Sequence, residues 1–533
     1  MASPLPGERF VLAVDLGSGS AKVALVSNQG LVAASASRSI RTDQLPGGGA
    51  EQDPQAWWTA VVDAAREAIK AVAIPPERIV AIKCATQWAV TTPVDEDGNV
   101  LHNAISWMDT RGGPHNRRLM DGPIKVAGYD LFKLRKWVRL TGACPTRSGV
   151  DGLAHILFLK HERPEIYART FKFLEPMDYL NLRLTGRFAA SYGTIFPYFL
   201  TDNRDPNRID YDPALLRMAG IDRAKLPDLV PVDAVLGTLL PEVADQLGLS
   251  PATRVMAGTC DGHAAGVGAG TIRDYDGYFY VGTTSWLSCH VPFKKTDLLR
   301  LLVTMPSALP GRYMVMAEQG MAGRCLEFLK DNILYPEGPD GVPAPPDVYD
   351  VLNREAARAP AGSDGLIFTP WINGVLVPSE DPATRSAFFN QSWRTTRAHY
   401  VRAVMEGVAY NLRWLRGAVE KFVGRPFERL NFIGGAALSD VWCGIMADVL
   451  GCPVRRVADP LNANAVGAAM AAFAALGEIR IEDIPALVRI AGEVHPDPAN
   501  RPVYDEQFAT FLDFYRRMKP IYGRLNARRI DQE

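Results

Sequence analysis

Cysteine is scarce in this chain of 533 residues and is never closely paired. The seven cysteines are scattered, and no two of them are separated by only two other residues. A disulfide scaffold needs a dense, paired set of cysteines, and a structural zinc site needs closely spaced pairs. The sequence therefore predicts neither, and we expect most cysteines to be small core residues in a reducing compartment.

Long apolar runs and an excess of one charge are also missing. No stretch reaches the roughly 18 uninterrupted apolar residues that a membrane-spanning helix needs, and residues 1–9 lack the basic-then-apolar pattern of a secretion signal. The net charge is −1, from 58 basic and 59 acidic residues. We therefore expect a cytoplasmic protein whose partners include neither nucleic acid nor a membrane.

What the chain does contain is a repeated turn. Near its start an apolar run through Asp15 leads into Gly17-Ser18-Gly19-Ser20 and then into a second apolar run from Lys22. About half the chain later, a strand-like run from Tyr278 leads into Gly282-Thr283-Thr284-Ser285 and another apolar run. Each unit is typical of a β-hairpin. A chain of this length is too long for one ordinary core, so the repeat predicts two related domains.

The chemistry of these turns suits a phosphate chain. Glycine leaves the backbone N–H groups accessible, and the neighbouring hydroxyls add hydrogen-bond donors. Asp15 stands in an apolar strand, where it either faces a cation such as Mg²⁺ on the phosphates or bonds to its own turn. Lys22 either assists the phosphates or lies in solvent.

Asp261 is the candidate catalytic base. It follows a short apolar strand at 254–257 and precedes a run of small residues that begins with Gly262, typical of a helix start packed between domains. In phosphoryl transfer a carboxylate accepts the proton of the acceptor hydroxyl, for which an ordinary pKa near 4 suffices. The alternative from this segment alone is an aspartate that caps the helix.

Several motifs in order give the chain a family resemblance. Residues 15–22 (DLGSGSAK), 261–262 (DG), 282–285 (GTTS) and 433–442 (IGGAALSDVW) resemble the FGGY carbohydrate kinases of the actin/Hsp70/sugar-kinase superfamily. The resemblance implies an α/β fold of two actin-like (ribonuclease H-like) domains with a nucleotide and sugar cleft between them. It places these domains at 9–270 and 271–477, followed by a helical tail at 478–533.

The resemblance also implies roles for particular residues, with ATP and Mg²⁺ as cofactors. Asp15 would face the metal, and Asp261 would be the base. The residues implied at the nucleotide are Gly17, Ser18, Gly19, Ser20, Lys22, Gly282, Thr283, Thr284, Ser285, Gly434, Gly435, Ala436 and Ser439. The residues implied at the sugar are Gln87, Trp88, Asp109, Arg111, Asp261 and Gly262.

Departures from the family pattern bear on the acceptor. Xylulose kinases typically have Met-His-Gly where this chain has Gln87-Trp88-Ala89, and Asp-Asn where it has Asp261-Gly262. Glycerol kinases have an Arg-Glu pair at the first location, so glycerol is not the expected acceptor. We expect ATP-dependent phosphorylation of a ketopentose resembling D-xylulose, or of a related polyol.

Alternatives to this expectation remain open from the sequence. One is a kinase for a sugar alcohol or another ketose, and one of a different class is a non-catalytic nucleotide-binding module on the same scaffold. The sequence leaves a homodimer open, and it does not assign roles to Trp88, Trp286 or His263.

Overall fold

The apolar run at the start of the chain forms the central strand of a sheet, as its pattern predicts. The computed structural model describes residues 7–338 and 341–530. The first half contains β1 Phe10–Leu16, β2 Ser20–Ser27, β3 Val32–Ser39, β4 Asp43–Leu45, β5 Gly49–Gln52, α1 Pro54–Lys70, β6 Ile79–Thr86, β7 Thr92–Val94, β8 Ala104–Ile105, α2 Gly113–Leu119, β9 Lys125–Val126, β10 Tyr129–Asp130, α3 Leu131–Thr141, α4 Gly152–Glu162, α5 Pro164–Arg169, β11 Lys172–Leu174, α6 Pro176–Thr185, β12 Ala189–Ser191, β13 Thr201–Asp202, β14 Asp210–Tyr211, α7 Pro213–Ala219, β15 Asp228–Val230, β16 Val235–Thr238, α8 Pro241–Leu247, β17 Arg254–Met256, β18 Thr259–Cys260 and α9 Asp261–Gly268.

The second half contains fewer and longer elements. They are β19 Gly277–Val281, β20 Ser285–Val291, β21 Thr296–Asp297, β22 Leu302–Pro306, β23 Tyr313–Gln319, α10 Gly323–Leu329, α11 Val348–Arg358, β24 Ile367–Thr369, β25 Ala387–Phe389, α12 Arg397–Val423, β26 Leu430–Ile433, α13 Asp440–Leu450, β27 Val454–Val457, α14 Ala463–Ala475, α15 Ile484–Leu487, β28 Ile490–Val494 and α16 Arg501–Ile530.

The two large sheets have corresponding strand orders. The first runs β16-β17-β6-β1-β2-β3, and the second contains the run β28-β27-β26-β19-β20-β23. In each, a hairpin joins the central strand to its antiparallel neighbour, while the other side of the central strand pairs in parallel. In each, an antiparallel strand closes the parallel side. This correspondence confirms two related α/β domains.

Helices cover both sheets where their sequence patterns place apolar faces. Asp53 caps α1 by accepting a hydrogen bond from the backbone N–H of Gln55 at 2.9 Å, and Pro54 occupies the first helical turn. Buried Trp57 and Trp58 of α1 pack into the core of the first domain. Helix α13 ends at Gly451, whose φ of 67° suits the left-handed position after a helix.

The end of the chain belongs to the second domain. The sequence predicts a helical tail at 478–533, and α16 supplies most of it. The same stretch also contains β28, which pairs with β27 at the sheet edge. Tyr504 and Phe511 of α16 are fully buried in the core of the second domain. The tail is therefore an integral part of that domain. Within the described residues, no helix combines the length and the apolar character that crossing a membrane would require.

Candidate functional site

The first hairpin reaches the second domain at the seam between the two halves. Nζ of Lys22 donates a hydrogen bond to the carbonyl oxygen of Leu461 at 2.5 Å. Nδ2 of Asn464, at the start of α14, lies 3.4 Å from Oδ1 of Asp15. The amino group of Lys22 also lies 4.0 Å from that carboxylate. Asp15 and Lys22 therefore face the seam, and Lys22 does not extend freely into solvent.

Asp261 begins α9 at the same seam. Its Oδ1 accepts a hydrogen bond from the backbone N–H of Gly262 at 2.7 Å, and Cys260 holds the capping position. Burial is the main cause that raises the pKa of Asp261, to about 7, and the negative charges of Asp15 and Glu318 raise it further. An ordinary pKa near 4 would suffice for the base, whereas in the fold burial and two neighbouring carboxyl groups, which the sequence does not show, hold the pKa of Asp261 above that value.

The helix that carries Asp261 is held from the second domain. The hydroxyl of Tyr278 donates a hydrogen bond to the carbonyl oxygen of Gly262 at 2.6 Å and accepts one from Nε1 of Trp286 at 3.2 Å. A Cβ atom at Gly262 would lie 2.2 Å from Sδ of Met316, so this methionine fills the space where a side chain would stand. The first turn of α9 is thus packed between the domains, as its small residues predict.

The first glycine turn is partly open. Gly17 donates its backbone N–H to the carbonyl oxygen of Ser20 at 2.9 Å, which closes the hairpin. Gly19 is exposed, and a Cβ there would meet no atom within 4 Å. The carbonyl oxygen of Ser18 accepts a hydrogen bond from Nε2 of Gln52 at 2.7 Å, which ties the turn to β5.

The second turn presents only part of its predicted residues. Gly282 and Thr284 are partly buried, and Thr283 is exposed. Ser285 is different, because its side chain is buried at 1% exposure beside Gln319. The structure therefore brings the first three residues to the surface of the turn and leaves the Ser285 hydroxyl in the sheet.

The predicted adenosine turn follows β26. Gly434 has a φ of 94°, and a Cβ there would lie 2.5 Å from the carbonyl oxygen of Val281, so close packing by itself requires this glycine. Gly435 is exposed, and Ala436 is buried. Ser439 caps α13 by accepting from the N–H of Trp442 at 3.1 Å, and its hydroxyl donates to Asn353 at 2.6 Å. A structural role already accounts for Ser439.

The predicted sugar residues fall into two groups, and one of them adjoins α9. Gln87 is buried, and its Nε2 donates to Oε1 of Gln52 at 2.6 Å while its own Oε1 has no partner among the described residues. Trp88 is partly exposed, and its ring lies 5.3 Å from that of His263. His263 is fully buried, and burial lowers its pKa to about 3, so the ring is neutral. Gln87 and Trp88 therefore lie beside the helix of Asp261.

The other group is engaged in an ion-pair cluster. Asp109 is 1% exposed, and its carboxylate accepts hydrogen bonds from the N–H of Ala50 and from the backbone and Nε of Arg111, each at 2.9 Å. Nη2 of Arg111 donates to Glu51 at 2.6 Å. The structure thus keeps Asp109 buried in this cluster. Glu51 is a partner of Arg111 that the sequence analysis missed.

Sequence reasoning also missed two side chains of the second domain that face the cleft. Glu318 lies opposite Trp286 in the pairing of β23 with β20, and burial raises the pKa of its carboxyl group to about 7. Tyr280 lies opposite the same Trp286 in the pairing of β19 with β20. A period of two from Tyr278 places Tyr280 on the same face, which was the available signal for it.

Comparison with known proteins relates both halves of the chain to one family. Residues 10–268 match the model of the N-terminal domain of the FGGY family of carbohydrate kinases, and residues 277–476 match that of the C-terminal domain. The chain is 26% identical to a xylulose kinase of Bacillus subtilis over 97% of this chain and 99% of that protein. It is 26% identical to a gluconokinase of Bacillus subtilis over 97% of this chain and 95% of that protein.

A solved structure extends the likeness to the fold. The crystal structure of xylulose kinase from Rhodospirillum rubrum superposes with a TM-score of 0.81 at 28% identity, covering 96% of this chain and all of that chain. The two family models together span most of the residues, including both glycine turns and Asp261. The chain therefore belongs to the FGGY family of carbohydrate kinases, which are ATP-dependent phosphotransferases.

Proposed function

We propose that this protein transfers the γ-phosphoryl group of ATP to a hydroxyl of a ketopentose resembling D-xylulose, or of a related polyol, with Asp261 as the general base. The observation that supports this most is the position of Asp261 at the start of α9, on the seam where both domains meet. There it is close enough to Asp15 for the two carboxyl groups to interact electrostatically. A carboxylate there can accept the proton of a hydroxyl as that oxygen attacks phosphorus.

The proposed nucleotide site uses both hairpins. The N–H groups and hydroxyls of 18–20 and 283–284 would donate to phosphate oxygens, with Lys22 nearby as a cation. The N–H groups of Gly17 and Gly282 are used within their own turns. Gly435 is the exposed part of the turn proposed to face adenosine. Closure of the two domains would exclude water, which otherwise competes as phosphoryl acceptor.

Asp15 fits a hydrated magnesium ion. Its side chain is only 13% exposed, and its polar contacts with Asn464 at 3.4 Å and with Lys22 at 4.0 Å are long. Burial raises the pKa of Asp15, and the charge of Lys22 offsets only part of this rise, so a further cation would stabilise the ionised carboxylate. When bound, Mg²⁺ would neutralise charge on the phosphates. No three His, Cys, Asp or Glu side chains of the described residues form a metal cluster, so one carboxylate and the phosphates would hold the ion.

The proposed acceptor follows from the relatives and from the side chains beside α9. Several relatives are named xylulose kinase, and gluconokinases match at similar identity. Trp88 offers an aromatic face and Gln87 a free carbonyl oxygen beside α9. These suit the apolar face and hydroxyls of a small polyol, and they leave a sugar alcohol or another ketose as alternatives.

A panel of acceptors tests the proposal. Purified protein with MgATP is incubated with D- and L-ketopentoses, pentitols, tetritols, gluconate and glycerol, and ADP release is measured. We expect one ketopentose or polyol to raise ADP release well above the rate without acceptor. In Asp261→Asn, that increase should fall by about 10³-fold or more while calorimetry still detects ATP binding.

Asp228→Asn is the matched control, since Asp228 is exposed and forms a surface ion pair with Arg223. Near-normal turnover in Asp261→Asn would contradict the role of Asp261. ATP hydrolysis that no acceptor changes would favour the alternative of a nucleotide-binding module.

A further inference from the structure

Tyr280 lies where the three proposed nucleotide elements meet. A Cβ atom at Gly282 would lie 1.9 Å from the hydroxyl oxygen of Tyr280, so this oxygen rests directly against the second glycine turn. A Cβ atom at Gly434 would lie 2.9 Å from Cδ2 of the same ring. Tyr280 is therefore in contact with both the turn proposed for phosphate and the turn proposed for adenosine.

The ring of Tyr280 is held in place. It stacks on Trp286 with ring centroids 3.9 Å apart and planes 13° from parallel. Trp286 is itself fixed, because its Nε1 donates to the hydroxyl of Tyr278. Stacked aromatic pairs lose little conformational freedom when a ligand binds. The hydroxyl of Tyr280 is thus held at a defined position. Holding this ring gives a role to Trp286, the large residue that directly follows the second turn.

The surroundings of this hydroxyl are acidic. Burial raises the pKa of Tyr280, and the negative charges of Asp15 and Asp261 raise it further. The phenol therefore stays protonated and serves as a neutral donor. Tyr280 is partly exposed, and no hydrogen bond of its hydroxyl oxygen appears among the described residues.

From this geometry we infer that Tyr280 donates a hydrogen bond to the γ-phosphoryl group of bound ATP. The inference rests on the proposed function and adds one residue to it. The γ-phosphoryl group must lie between the phosphate turns and the base. Tyr280 adjoins the second turn and is close enough to Asp261 and Asp15 for their charges to raise its pKa. Carboxylates repel phosphate oxygens, so a neutral donor among them offsets that repulsion.

The experiment compares two nucleotides in Tyr280→Phe. ADP and the non-hydrolysable analogue β,γ-imido-ATP, both with Mg²⁺, are titrated into wild type and variant by calorimetry. A hydrogen bond to a charged group is worth about tenfold or more in affinity. We expect the analogue to bind about tenfold more weakly to the variant and ADP to bind unchanged, because only the analogue carries the third phosphate.

Tyr167→Phe is the matched control, since it removes a phenolic hydroxyl from α5 in the first domain. Both nucleotides should bind this variant as they bind wild type. Equal affinity of the analogue for wild type and Tyr280→Phe would overturn the inference. An equal loss for both nucleotides would also overturn it, because the hydroxyl would then shape the turn instead of contacting the third phosphate.

The Tyr280→Phe titration can fail or succeed independently of the acceptor panel that tests the proposed function. If no acceptor is phosphorylated but the analogue still loses affinity in Tyr280→Phe, the kinase proposal fails and the contact stands. If an acceptor is phosphorylated and the analogue binds unchanged, the contact fails and the kinase proposal stands.

Discussion

Among single residues, Asp261 determines how the reaction should depend on pH. A base must be ionised to accept a proton, and the pKa of Asp261 in the unliganded protein is about 7. We expect kcat/KM for the first-binding substrate to rise with pH up to a midpoint near 7 and then to level off, because kcat/KM reports groups of the free enzyme. Initial rates between pH 5.5 and 9 check this expectation.

Replacing Glu318 tests how much its negative charge contributes to the raised pKa of Asp261. Its negative charge contributes to the raised pKa of Asp261, so Glu318→Gln should move the midpoint to lower pH. Glu165→Gln on exposed α5 is the control and should leave the profile in place. A midpoint unchanged in Glu318→Gln would show that the two carboxyl groups do not interact in the working enzyme.

Among elements, the crossing of α9 and α14 ties the helix of the proposed base to the second domain. A Cβ atom at Gly467 would lie 1.9 Å from the carbonyl oxygen of Ala264, and one at Gly268 would lie 1.8 Å from that of Ala463. Backbone atoms on both sides leave no room for a methyl group. Asp261 stands at the start of α9, so a displacement of this helix displaces the proposed base.

Gly467→Ala should therefore lower kcat by at least tenfold and also lower the melting temperature. Gly444→Ala on α13 is the control, because no atom lies within 4 Å of a Cβ there. That substitution in a helix should stabilise the protein by about 0.5–1 kcal/mol without changing kcat. Calorimetry and initial rates measure both effects, and equal behaviour of the two variants would mean that the crossing tolerates a methyl group.

The elements that local patterns predict are those whose signals lie within a few residues. The hairpin from Phe10 is marked by its apolar runs and glycine turn, and α1 is marked by Asp53-Pro54. For the row formed by Tyr280, Trp286 and Glu318, the local signal is limited to the period of two that places Tyr280 on the face of Tyr278. The row exists because β19, β20 and β23 pair in one register, and residues distant in sequence meet only after that pairing.

Asp109 and Arg111 show a second limit of prediction from local sequence. The family resemblance implies that Asp109 and Arg111 bind the hydroxyls of the sugar. In the fold, Asp109 accepts a hydrogen bond from the backbone N–H of Ala50, and Arg111 donates one to Glu51, both residues of β5. Buried charges are stable only when paired, and the partner comes from a different element that the spacing does not reveal.

At the scale of the whole molecule, the two domains share part of their interior. Met305 and Met314, on strands of the second sheet, are buried in a cluster with Trp137, Phe158 and other residues of the first domain. Hydrogen bonds reinforce this contact, since the hydroxyl of Tyr313 donates to the carbonyl oxygen of Asn203 at 2.8 Å. The stability of this part of the first domain therefore depends on the second sheet.

Met314→Ala tests this dependence. Met314 is fully buried, and truncating a buried methionine costs about 2–5 kcal/mol. Although the substitution lies on β23, we expect hydrogen exchange to accelerate in α3 and α4 of the first domain, because they contribute to the same cluster. Met446→Ala on α13 removes an equally buried methionine from the separate core of the second domain, so it should leave exchange in α3 and α4 slow. If both variants accelerate exchange only in the second domain, the cores are independent and the seam acts as a free hinge.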